Sequence, residues 1–155
     1  MSWEAIGAIG EVVGAIGVIA TLGYLAVQIR QNTASVRAST LQDMSEAAAG
    51  WHDLLASNDD LAGIFVKGTG DLETLTPGER LRFNFAMMAF LRRVESFRRQ
   101  ESRNRVSLAD WGGIRASCLS VMSQPGSRLW WAEHSGRFNP DFVDWLVGEL
   151  AKHAE

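Results

Sequence analysis

Near its N-terminus the chain has a long stretch without any charged residue. Eighteen residues, 12–29, lie between Glu11 and Arg30, and none of them is charged. A helix over this stretch would be roughly 27 Å long, close to the ~30 Å hydrocarbon thickness of a bilayer. With Glu11 included, the apolar segment reaches back to Ala5 and would be roughly 37 Å long. The sequence therefore predicts a membrane-spanning helix; a very apolar core helix of a soluble domain is the alternative.

Charges are distributed unevenly along the chain. Residues 1–29 contain two acidic and no basic residues, whereas residues 30–155 contain all 15 basic and 16 acidic ones. A secretory signal peptide begins with basic residues, which are missing here, so we expect a retained anchor. Because positive charge favours the cytoplasmic side, Arg30 and Arg37 predict a short N-terminus outside and the remaining chain in the cytoplasm. We therefore divide the chain into a transmembrane anchor, residues 1–30, and a cytoplasmic domain, residues 31–155.

Glycines form one stripe along the predicted transmembrane helix. Glycine destabilises an isolated helix by about 1 kcal/mol relative to alanine, so the number of glycines here calls for a compensating contact. In lipid, small residues on one helix face let two helices approach closely. The stripe predicts self-association, or docking on another membrane helix, through a face formed by Gly7, Gly10, Gly14, Gly17, Thr21 and Tyr24.

The same helical spacing continues beyond the span as a polar stripe. The first proline of the chain is Pro77, so one helix could extend to about Ser57. A solvated helix face is one interpretation of this stripe. The other is a wet lumen between several copies, lined by Gln28, Gln31, Ser35 and Gln42. Beside it, an apolar stripe is expected to pack on the domain: Leu41, Met44, Ala48, Trp51 and Leu55.

One carboxylate lies inside the longer form of the predicted span. Glu11 is about two turns from the outer end, where an ionised group is costly unless it reaches water or faces a cavity. Reaching the interface is one interpretation of Glu11. The other is an ion or proton site formed by Glu11, with Glu4 one heptad earlier near the mouth.

The remaining chain shows clear helix boundaries and no convincing strand alternation. Asn58 or Asp59 could cap a helix that Gly68 and Gly70 end. A stripe at helical spacing would face the core: Phe83, Met87, Phe90, Val94 and Phe97. Capping residues and prolines predict helices over residues 60–67, 77–103, 107–122, 127–134 and 139–153. The predicted class is therefore all-α, a transmembrane helix that continues into a bundle of about five further helices.

Arginine is concentrated near the middle of the chain. The chain has thirteen arginines, and six of them fall within fourteen residues: Arg92, Arg93, Arg98, Arg99, Arg103 and Arg105. Guanidinium groups bind phosphate through a planar fork, so this run is a candidate contact for anionic lipid. Glu95 and Glu101 lie within the run, and a helix face laced with ion pairs is the alternative. A formal net charge of −3 gives no indication of a specific nucleic-acid partner.

Patterns typical of catalysis or cofactor binding are missing from the sequence. The three histidines, His52, His134 and His153, have no metal-ligand spacing, and no phosphate-binding glycine motif occurs. The single cysteine, Cys118, excludes an intramolecular disulfide and lies in an apolar run typical of a buried residue. Four aromatic residues are expected to pack in the core or to wall a ligand pocket: Trp130, Trp131, Phe138 and Trp145. We therefore predict no enzyme activity, no metal and no cofactor.

Several short segments resemble a widespread type of bacterial membrane protein with no established activity. They are residues 3–7 (WEAIG), residues 24–33 (YLAVQIRQNT), the helix entry at 75–82 with Pro77 and Glu79, and Trp130-Trp131 followed by residues 138–142 (FNPDF). The resemblance extends over the whole chain. It implies a single-span protein of the bacterial inner membrane with a helical cytosolic domain, and it assigns no site.

Three functional hypotheses follow from these patterns. In the first, the chain self-associates through its glycine face and presents a helical interaction domain, with a pore or ion path as the bolder form. In the second, it is an accessory subunit whose glycine face docks on a larger membrane complex. In the third, it is a membrane-tethered domain that binds a ligand in the aromatic pocket.

Overall fold

The computed structural model describes residues 3–103 and 106–153, and for residues 4–6 and 108 it describes the backbone only. Within these ranges it contains no strand, so the predicted all-α class is confirmed. Two short 3-10 turns, Leu72–Thr74 and Ser135–Arg137, lie between helices. The helices are α1 (Trp3–Ala56), α2 (Asp59–Gly70), α3 (Pro77–Ser102), α4 (Leu108–Met122), α5 (Pro125–His134) and α6 (Pro140–His153).

The chain divides into two units at a point inside α1. The first unit is Met1–Ser39 and the second is Thr40–Glu155. In the first, the described side chains are exposed, including the large apolar ones. The second contains the end of α1 together with α2–α6, and its core is formed where these helices pack on one another. The two units therefore differ in kind: the described side chains of the first form no core, and the second is a helical domain.

The starts of α2 and α3 follow the predicted capping residues. The side chain of Asn58 accepts the Leu61 backbone N–H at 2.9 Å and so caps α2. At α3, Glu79 and Thr76 form the predicted capping box, with the Thr76 N–H donating to the Glu79 carboxylate at 2.7 Å. These bonds satisfy backbone donors that have no partner in the first turn of a helix. Local sequence therefore determines where α2 and α3 begin.

Two predicted helix boundaries are wrong because they assign the wrong role to glycine. Helix α2 continues through Gly68 to Gly70 instead of ending at Lys67, and α5 begins at Pro125 instead of Ser127. A Cβ on Gly68 would lie 2.5 Å from the ring of Phe83, and a Cβ on Gly126 would lie 2.1 Å from the Gly68 carbonyl oxygen. These glycines therefore permit close contact of α2 with α3 and α5, and they do not break the helices.

The predicted apolar stripes form the core of the second unit. All five stripe residues of α3 are buried, and on α1 Met44 and Trp51 are buried while Leu41, Ala48 and Leu55 are half-buried. The Trp51 ring lies 5.5 Å from the Phe90 ring, between centroids, and 5.5 Å from that of Phe65. The end of α1 is therefore held to α2 and α3 by aromatic contacts.

The capping box of α3 makes stability dependent on pH. Hydrogen bonds from the backbone and side chain of Thr76, and then from Lys67, lower the pKa of Glu79 from 4.5 to about 2. Because the folded pKa is the lower one, the stabilisation is present above pH 4.5 and is lost as the pH falls toward 2. We expect Glu79→Gln to lower Tm at neutral pH and to match the wild type near pH 2 in thermal unfolding. A difference in Tm that does not change with pH would contradict this explanation.

Candidate functional site

The glycine face of α1 has open space in front of it. A Cβ on Gly7, Gly10, Gly14 or Gly17 would meet no atom within 4 Å outside the helix's own backbone. The Thr21 hydroxyl donates to the Gly17 carbonyl oxygen at 2.8 Å, so the helix itself satisfies this polar group. Tyr24, the last residue of the predicted face, is exposed. All six residues of the predicted face are thus exposed.

Helix α1 is long and apolar enough to cross a membrane. The qualifying segment is Gly7–Ala56, and none of its most apolar window is buried inside the chain. A core helix of a soluble domain, the alternative given by the sequence, would be mostly buried. The exposed apolar surface is therefore compatible with a membrane span.

The residues predicted to serve an ion path or lumen lie along α1. Glu11 is exposed, and the side chain of Glu4 lies outside the described residues. Gln42 is exposed and donates to Glu46 at 3.0 Å, one turn further along the helix. The other three predicted lumen residues are also exposed: Gln28, Gln31 and Ser35. A lumen lined by these residues would require further copies of the chain.

Several arginines of the run form ion pairs or hydrogen bonds within the domain. Arg92 donates to Glu95 at 2.8 Å and to the Arg137 carbonyl oxygen at 2.7 Å. Arg98 pairs with Glu101 at 3.0 Å. Arg99 lies 4.0 Å from Glu95. Within the described chain, no carboxylate pairs with Arg93 or Arg103. Arg105 lies outside the described residues. Ion pairs therefore involve three of the five arginines of the run that the structure describes.

Sequence reasoning missed the importance of Glu95. This carboxylate is only 4% exposed, and it accepts the Asn139 backbone N–H at 2.8 Å in addition to the Arg92 guanidinium. Arg92 also lies over the ring of Phe138, 4.8 Å from its centroid. One buried acid therefore ties α3 to the start of α6. Its position one turn after the buried Leu91 is the sequence signal that could have revealed it.

The C-terminal aromatic residues form core packing. The Trp131 and Phe138 rings lie 5.2 Å apart, and both side chains are buried along with Trp130. Trp145, which is half-buried, stacks on Phe142 at 5.5 Å. These rings pack against one another between α5 and α6. A separate cavity of about 210 Å³ lies elsewhere, next to Trp51.

Cys118 and His134, two further residues that could carry chemistry, are held in contacts within the helical domain. Cys118 is buried, and loss of solvation raises the pKa of its thiol to about 12. His134 contacts the Trp130 carbonyl oxygen at 2.8 Å through Nδ1 and stacks on the Trp130 ring. Within residues 3–103 and 106–153, no group of three or more potential metal ligands comes together.

Comparison with protein-family models, curated proteins and solved structures finds no match to this chain.

Proposed function

We propose that the chain is a small protein of the bacterial inner membrane. Helix α1 anchors it and self-associates through the glycine face, and the helical domain acts as a cytoplasmic interaction module. The open glycine face on an exposed apolar helix is the observation that carries the proposal. It offers a row of exposed small residues that two copies could share.

The glycine face is suited to helix association in lipid. Water would drive any apolar surface together, but lipid tails are as apolar as the helix, so association in a bilayer depends on close packing of backbones. Gly7, Gly10, Gly14 and Gly17 supply that close approach along roughly three turns of one face. Close packing of one copy on another would offset the free-energy cost of placing these glycines in a helix.

The proposed orientation rests on charge. Basic residues are missing before Arg30, and Arg30 and Arg37 are the first two after the apolar stretch. This asymmetry favours retention of the C-terminal side in the cytoplasm. The helical domain, Thr40–Glu155, would then meet cytoplasmic partners.

Substitution of one glycine tests self-association. We expect Gly14→Leu to reduce the oligomer to a monomer because a leucine side chain separates the two backbones. Gly23→Leu is the matched control, since Gly23 lies on nearly the opposite side of α1 and has the same open space around it. The measurement is the mass of the protein in mild detergent or in nanodiscs.

Two outcomes would overturn self-association. A monomeric wild type would favour the alternative in which the glycine face docks on a different membrane protein. An oligomer that persists in Gly14→Leu would show that other residues hold the copies together.

A further inference from the structure

An apolar groove lies in the helical domain, away from the glycine face and the C-terminal aromatic cluster. Helices α1, α3 and α4 form it, and its volume is about 210 Å³. Its floor consists of large apolar side chains that are nine-tenths or more buried: Trp51, Phe90, Val94 and Phe97. The floor therefore suits an apolar ligand, and His52 also lines the groove.

Small residues keep the groove open. Gly113 and Ser117 of α4 and Ala48 of α1 line its rim. A Cβ on Gly113 would meet nothing within 4 Å, so the lack of a side chain here leaves space above the floor. The Ser117 hydroxyl donates to the Gly113 carbonyl oxygen at 3.0 Å, so the helix already uses this polar group.

Arg93 places a positive charge at the edge of the groove. Its guanidinium carbon lies 5.7 Å from the centroid of the Trp51 ring, and its hydrogen bond, 3.4 Å to the Ala89 carbonyl oxygen, is long. Arg92 and Arg98 on the same helix both pair with carboxylates, but across the described chain no carboxylate pairs with Arg93. Asp43 lines the neighbouring depression with Arg93 and does not reach ion-pair distance. The groove therefore combines an apolar floor with one uncompensated cation.

We propose that this groove binds a single-chain amphiphile with a carboxylate head, a fatty acid. The acyl chain would lie on Trp51 and Phe97, and the carboxylate would accept hydrogen bonds from Arg93. The volume is below the ~300–1,000 Å³ of pockets for drug-sized ligands, which favours a slender molecule. This site goes beyond the proposed function, because it does not depend on the glycine face.

Photolabelling tests the proposal on the full chain. The protein is placed in phosphatidylcholine nanodiscs with a photoactivatable derivative of decanoic acid, and mass spectrometry locates the adducts. We expect adducts on the groove-lining residues of α3 and α4. Gly113→Leu should reduce this labelling at least about tenfold because the new side chain fills the groove. Gly148→Leu, which also adds a side chain into open space on a helix, should label like the wild type.

The charge requirement is tested by competition. Decanoate should compete with the probe roughly tenfold better than decanol in the wild type, and Arg93→Gln should abolish that preference. The proposal is overturned if Gly113→Leu labels like the wild type, if adducts are confined to residues 7–29, or if decanol competes as well as decanoate. Adducts that join two copies through the groove would instead assign it to a second chain. Gly14→Leu should label normally, which separates failure of this site from failure of self-association.

Discussion

Gly126→Ala is expected to destabilise the helical domain by about 3 kcal/mol. A Cβ at this position would lie 2.1 Å from the Gly68 carbonyl oxygen and 2.8 Å from that of Thr69. Both obstacles are backbone atoms of α2, so α5 can accommodate the methyl group only by moving away from α2. Urea unfolding followed by tryptophan fluorescence measures the loss, since five of the six tryptophans lie within residues 40–155.

Gly148→Ala is the control for this prediction. Its Cβ would meet nothing within 4 Å, so alanine should raise the free energy of unfolding by up to about 1 kcal/mol through helix propensity. Equal effects of the two substitutions would contradict the assigned contact between α2 and α5.

Glu95→Ala is expected to lower the free energy of unfolding by about 3 kcal/mol. The change removes the acceptor of the Asn139 N–H and of the Arg92 guanidinium, and hydrogen bonds to a charged group are worth about 1.5–3 kcal/mol each. Arg92 is half exposed and can turn to water, which keeps the loss below the sum of the two bonds. Urea unfolding measures the change.

Glu101→Ala provides a matched comparison on the same helix. Glu101 also pairs with an arginine three residues earlier, Arg98, but its side chain is more accessible. Ion pairs of this kind contribute about 1 kcal/mol or less, so the substitution should have a small effect. If Glu95→Ala costs no more than Glu101→Ala, the carboxylate does not hold α6 in place.

Much of the fold could be predicted because its determinants are local. The capping residues Asn58 and Thr76 mark helix starts, and the five-residue apolar stripe of α3 identifies the face that is buried. Absence of proline before Pro77 predicts the unbroken helix α1, which ends at Ala56. Each of these signals lies within a few residues of the feature that it determines.

Features that depend on distant residues could not be predicted. Gly68 and Gly126 read locally as helix breakers, and only the packing of α2 on α5 shows that they are contact glycines. From the sequence, Glu95 is one member of a helix face with ion pairs. Only the structure shows that it also accepts a hydrogen bond from the Asn139 N–H. Likewise, the groove beside Trp51 combines residues from three helices, so no short sequence motif predicts it.

Membrane anchoring by α1 is the central claim, and cysteine labelling tests it most directly. Cys118 is buried with a pKa raised to about 12, so the wild type should not react with a membrane-impermeant maleimide. In intact cells we expect labelling of Trp3→Cys, whose side chain is exposed, and of Lys152→Cys only after permeabilisation. Labelling of Lys152→Cys in intact cells, or recovery of the wild type in the soluble fraction after lysis, would contradict the account.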